Sequence, residues 1–211
     1  MSEQKDKRLF VSTIILVVVH LSGVIGIHSQ YKDLFLLCTP LNLLISAALL
    51  FLNQKEFSLT FYIFCLVAFL TGLTVEWIGI HTGLLFGSYS YGDVLGIKIS
   101  GVPLIIGINW LLLVFSVGVI CNKIKTNIFI KSLLGALLLV ILDFFIEPVA
   151  VKYYFWSWYD TAPPIRNYTD WFIISFLLLL LFNKLEFNKT NPLAKALFLV
   201  QLVFFISLTF F

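Results

Sequence analysis

Apolar residues run through this chain in long blocks, and the polar positions inside the blocks are few and local. A membrane-crossing helix needs about 20 predominantly apolar residues. Seven blocks meet or approach that length, at 9–28, 34–52, 57–80, 102–122, 128–147, 170–186 and 193–211. The pattern predicts an all-α, polytopic membrane bundle of seven transmembrane helices, forming a single domain over 1–211. The opening MSEQKDKR before LFVSTIILVVV has the charge order of a signal peptide, but no small-residue cleavage site follows. It is read as a retained first span.

The links between blocks are short except at 81–101 and 148–169, which hold much of the Gly, Pro, Tyr and Trp. Long links of that kind tend to carry function. Within the first, SYSYGDVLGIKISGVP alternates polar and apolar residues around Gly92-Asp93 and Gly96. That alternation predicts a small hairpin at 88–101, capping one end of the bundle.

Composition supports the membrane assignment. The chain is 60% hydrophobic and 12% charged, against about 25% charged in soluble domains. A net charge of +3 without a basic stripe gives no footprint for nucleic acid. Cys38, Cys65 and Cys121 lie in or at the end of separate apolar runs, as small buried hydrophobes rather than a metal or disulfide set. Lysine and arginine set the orientation. With the N-terminus cytoplasmic, Lys5, Lys7, Arg8, Lys55, Lys123, Lys125, Lys131, Lys184, Lys189 and Lys195 fall inside; Lys32, Lys98, Lys152 and Arg166 fall outside. That excess predicts a multi-pass plasma-membrane protein with both long links outside.

The polar residues within the blocks share a depth. Glu76 and Glu147 lie near the outer boundary, with Asp143 on the face of Glu147 and roughly 6 Å deeper at 1.5 Å per residue. Asn42 and Asn109 lie about 10–12 Å below the outer surface by the same rise. His20 is near mid-membrane, and His28 and His81 are at the outer edge. Intramembrane ionisable residues usually face a cavity and serve function. Asn42, at helical spacing from Thr39 and Ser46, also suits interhelical bonding. Tyr89, Tyr91, Trp156, Trp158 and Tyr159 suit either an interfacial belt or the wall of a pocket.

A faint repeat links the two regions. Glu76 is followed by FGSYSY, Pro103 and, seven residues on, Trp110; Glu147 is followed by FWSWY, Pro164 and, seven on, Trp171. Units of shared orientation would be parallel repeats about the membrane normal, placing Glu76 and Glu147 as counterparts across one cavity.

Three histidines are too few for a membrane diiron site, and no GxGxxG or Walker loop suggests a nucleotide. No second acidic motif or basic clamp accompanies Asp143 and Glu147 for magnesium-dependent prenyl transfer. Carboxylates and aromatic faces beside hydrocarbon remain, the parts for acid–base chemistry on a lipid-soluble molecule, with no cofactor or metal expected.

The motifs EWIGIHTGLLFGSYSYG (76–92), LGIKISGVPL (95–104) with Trp110, DFFIEPVA (143–150), FWSW (155–158) and PIRNYTDW (164–171) together resemble the carotenoid biosynthesis membrane protein family. The resemblance covers about residues 70–175, and the family includes carotenoid 1,2-hydratases and bisanhydrobacterioruberin hydratases. Many members carry Asp-Pro where this chain has Glu147-Pro148, a carboxylate one methylene longer. The resemblance implies a hydro-lyase that adds water to a terminal double bond of an acyclic, lycopene-like carotenoid, giving a tertiary alcohol. Such a reaction needs a carboxylic acid to protonate the alkene, aromatic faces for the cation and a base for the attacking water. On this reading Asp143 or Glu76 is the acid, and Glu147 or His81 positions the water. Trp77, Tyr89, Tyr91, Asn109, Trp110, Trp156, Trp158, Asn167 and Trp171 are the candidate substrate-binding residues. A carotenoid cyclase or isomerase using the same protonation, and a non-enzymatic lipid-binding or transport protein, are the alternatives.

Overall fold

The computed structural model describes residues 2–160 and 162–210, so residue 211 of the predicted seventh span lies outside it. Among the described residues, eight α-helices form the body: α1 Ser2–Ile27, α2 Lys32–Leu37, α3 Thr39–Leu52, α4 Leu59–Thr82, α5 Ile105–Asn122, α6 Ile128–Lys152, α7 Ile165–Lys184 and α8 Ala194–Phe210. Of these, α1, α4, α5, α6 and α7 are long and apolar enough to cross a membrane, while α3 and α8 are shorter apolar helices. The centre of the bundle is α5, 78% of which is buried, against 28% to 39% for the other four long helices. An outer helix shows one face to the core and the other outward, so only α5 is apolar and enclosed all round.

The predicted second span is broken. Its two pieces, α2 and α3, meet at Cys38, with Pro40 in the first turn of α3. Proline has no N–H to continue the helical ladder, and a first-turn position is where that loss costs least. The opposite outcome holds at Pro148, where the sequence predicts the fifth span to end. Helix α6 runs through it to Lys152. The donor missing at Pro148 would have served the carbonyl of Phe144, and the helix tolerates that single loss. The extra turn carries the chain to Tyr154, whose φ of 57° reverses it.

The predicted hairpin at 88–101 is divided. Strand β1 (Tyr89–Tyr91) pairs not with its neighbours but with β4 (Trp156–Trp158), antiparallel, with Tyr89 opposite Trp158, Ser90 opposite Ser157 and Tyr91 opposite Trp156. The local hairpin is only β2 (Lys98–Ile99) against β3 (Val102–Pro103), turned by Ser100 and Gly101, both at positive φ. A turn with two positive φ values matches the twist of short paired strands. The result is two similar units, α4–β1–α5 and α6–β4–α7, joined through β1 and β4.

Two glycines on α4 allow the approach of the aromatic residues that follow. A Cβ at Gly72 would lie 2.7 Å from the Trp110 side chain, and one at Gly79 would lie 2.7 Å from the Tyr89 hydroxyl.

Candidate site: two buried carboxylates beside an apolar cavity

Glu76 comes from the last turns of α4 and is 5% exposed. Its Oε2 accepts hydrogen bonds from the hydroxyls of Tyr89 and Tyr91, the latter at 2.7 Å, and its Oε1 accepts from Trp110 Nε1 at 3.1 Å. Burial and the adjacent Glu76 carboxylate push both phenols above the usual tyrosine range, which keeps them as hydrogen-bond donors.

Glu147, on α6, is 2% exposed. Its Oε2 accepts from Trp158 Nε1 at 2.8 Å and from Trp156 Nε1 at 3.2 Å. Its Oε1 accepts from Asn167 Nδ2 at 3.1 Å, and the same nitrogen donates to Asp143 Oδ2 at 2.9 Å. Asp143 is fully buried, and its Oδ1 has no hydrogen-bond partner among the described residues.

The two acids share one chamber of about 20 Å³, lined by Glu76, Glu147, Tyr89, Tyr91, Trp156, Trp158, Asn167, Trp171 and Phe86. Trp110 and Trp171, the tryptophans of the sequence repeat, stack with ring centres 4.1 Å apart and planes at 15°. The chamber is closed on one side by the link after α4. The backbone N–H of Phe86 donates to Asp170 Oδ2 at 2.7 Å, Arg166 donates to the Leu84 carbonyl, and Arg166 also pairs with Asp170. This clamp holds Phe86, itself at positive φ, against Trp110, Trp171 and Tyr89.

Next to the chamber lies a larger cavity of about 320 Å³, within the roughly 300–1,000 Å³ of small-molecule sites. Most of its wall is apolar, including Leu95, Ile106, Ile146 and Phe155, with His20, Asn42, Asn109 and Gln201 as polar points. The exposed Leu34 and Leu41 stand at its rim, beside the break between α2 and α3. Trp156 lines both spaces.

The structure therefore brings together Glu76, Glu147, Tyr89, Tyr91, Trp110, Trp156, Trp158, Asn167 and Trp171, with Asp143 directly behind Glu147 and Asn167. It sets three candidates elsewhere. Asn109 lines the apolar cavity. Trp77 is 46% exposed on α4. His81 is also exposed, donates from Nδ1 to the Trp77 carbonyl at 2.9 Å and packs against the Trp77 ring. Four features escape the sequence reading: Phe86, Asp170, the dual position of Trp156, and Gln201 in the cavity wall. The i,i+4 pair Arg166 and Asp170 and the lone amide in ALFLVQLVFF are the signals that mark two of them. Among the described residues, no group of three or more His, Cys, Asp and Glu has an arrangement that could hold a metal ion.

Fold and site define a multi-pass membrane bundle with a pair of enclosed, aromatic-bound carboxylates in a chamber beside an apolar cavity. The family model described as carotenoid biosynthesis protein matches residues 38–211, and the chain belongs to that family. Its role is thus in carotenoid biosynthesis. No curated protein and no solved structure matches the chain.

Proposed function

We propose that this protein is a carotenoid hydratase, adding water to a terminal C=C of an acyclic carotenoid without a redox cofactor. The observation that carries the reading is the chamber itself: two carboxylates on opposite units face a space that also abuts the apolar cavity. Its volume of about 20 Å³ is large enough for one water, since about one probe sphere, 10–15 Å³, suffices with two to four polar partners. The apolar cavity takes the polyene, and its terminal double bond passes Trp156, the residue common to both spaces, to reach Glu76 as the chamber widens around it; the rest extends past Leu34 and Leu41 into lipid.

The hydrogen-bond donors around the two acids suggest a division of labour. A tyrosine hydroxyl both donates and accepts, so Glu76 keeps its partners whether or not it carries a proton. An indole N–H only donates, so Trp156 and Trp158 hold Glu147 as an acceptor. Glu76 gives its proton to the less substituted alkene carbon, and the π pair becomes the new C–H bond. The tertiary cation left behind meets the faces of Trp156, Trp158 and Tyr91. The oxygen lone pair of the chamber water forms the C–O bond, and Glu147 takes the proton released. A following water carries that proton from Glu147 back to Glu76, so the cycle consumes one alkene and one water only.

Pigments extracted from a carotenoid-producing host test this. Expression of the wild-type chain should yield a product heavier by one water, absent with Glu76→Gln or Glu147→Gln at equal protein levels. An isomer of unchanged mass would make the protein a cyclase or isomerase, and an unaltered pigment would remove the enzymatic reading.

A further inference from the structure

Asp143 is the buried titratable group that this mechanism leaves without a task. It lines neither the chamber nor the apolar cavity. The amide of Asn167 stands between it and Glu147. Both hydrogens of Asn167 Nδ2 are committed, one to Asp143 Oδ2 and one to Glu147 Oε1. Two carboxyl acceptors also settle which way the amide faces, because a reversed amide would turn its oxygen onto both acids. The Asn167 carbonyl oxygen accepts nothing from the described residues and is the one polar atom of that side chain left for a molecule in the chamber.

We propose that Asp143 is a positioning residue and not the acid that protonates the alkene: it anchors the Asn167 amide, which orients Glu147 and presents its own carbonyl oxygen to the attacking water. This rests on the reading of Glu147 as a catalytic carboxylate. A carboxyl anchored through a neutral amide can be replaced by another acceptor in the same place, whereas a proton donor cannot.

The test compares Asp143→Asn, Asp143→Leu, Asn167→Leu and Glu147→Gln in purified protein with the acyclic carotenoid. Asparagine keeps an acceptor oxygen for Asn167, so Asp143→Asn should retain kcat within about tenfold of wild type, the loss expected when a hydrogen bond keeps its geometry but not its charge. Asp143→Leu and Asn167→Leu should lower kcat far more, with KM little changed. Glu147→Gln should fall by about 10²–10⁴-fold, as for removal of an acid–base group. A second readout needs no turnover: ultraviolet resonance Raman bands of the indole N–H groups report how Trp156 and Trp158 bond Glu147. They should match wild type in Asp143→Asn and shift in both leucine variants. A well-folded Asp143→Asn as inactive as Glu147→Gln overturns the proposal, as do unshifted indole bands in the leucine variants. Should wild type add no water, the hydration reading fails while the Raman comparison still decides the role of Asp143.

Discussion

The α4–β1–α5 and α6–β4–α7 units build the same object with different chemistry. Each carries a glutamate in the last two turns of its first helix, follows that helix with an aromatic-Ser-aromatic strand, and has a tryptophan seven residues after a proline. Each glutamate accepts three hydrogen bonds. The first unit supplies two phenol hydroxyls and an indole, the second two indoles and an amide. The equivalent strand positions thus carry hydroxyls, which can donate and accept, on one side and indoles, which only donate, on the other. A duplicated scaffold explains why two acids meet in one chamber, and the unequal donors explain how they can differ in role.

Experiments can break that comparison in order of expected effect. The largest is loss of either acid: Glu76→Gln and Glu147→Gln should each reduce hydrated pigment by about 10²–10⁴-fold. Equal wild-type yield from both would dissolve the site.

The donor sets come next. Tyr89→Phe with Tyr91→Phe removes every hydroxyl on Glu76, and Trp156→Phe with Trp158→Phe removes both indoles on Glu147. A hydrogen bond to an ionised carboxylate such as Glu147 is worth about 1.5–3 kcal/mol and one to a neutral carboxyl such as Glu76 about 0.5–1.5 kcal/mol, so both pairs should lower kcat, the indole pair more. If the roles are unequal, restoring a tyrosine in place of Trp158 should not recover the activity of the indole-deficient pair to wild type. Full recovery would show the two donor types to be equivalent.

A structural prediction of intermediate size concerns the glycine that lets the first unit close. Gly72→Val places bulk where a Cβ alone would lie 2.7 Å from Trp110. Overpacking of that kind costs about 1–3 kcal/mol, and thermal melting in detergent should register it. The smallest effect belongs to the link between α4 and α5. Lys98 holds the carboxyl of Asp93 below the usual aspartate range through a 2.7 Å ion pair in which Asp93 is fully exposed. Because its folded-state pKa is depressed, any stabilisation is present above the ordinary aspartate value and lost as the pH falls through the depressed one. Solvent screening makes such pairs weak, so Asp93→Asn should leave melting and product yield unchanged at neutral pH.

The long apolar blocks made five spanning-length helices and two shorter ones legible, because helix length and apolarity are properties of a run of residues. The acids Glu76, Asp143 and Glu147 were legible for a related reason: a carboxyl in an apolar run is costly wherever the fold puts it. What could not be read was local context that depends on a partner. Pro148 ends a helix in isolation, but one missing donor is tolerated when the rest of α6 packs on α5 and α7. The strand Tyr89–Tyr91 has a plausible partner a few residues away, yet pairs with Trp156–Trp158. His81 and Asn109 share the depth of the acids, but depth does not specify the direction a side chain faces around a helix.

The sequence by itself therefore determined a membrane bundle, the residues expensive enough to be functional, and the repeat of Glu, aromatic strand, proline and tryptophan. Only the tertiary structure decided that β1 and β4 pair, that Trp110 stacks on Trp171, and that Asp143 sits behind the chamber rather than in it. Those outcomes depend on contacts between segments 24 to 69 residues apart, and the energy of such a contact resides in no single stretch of chain.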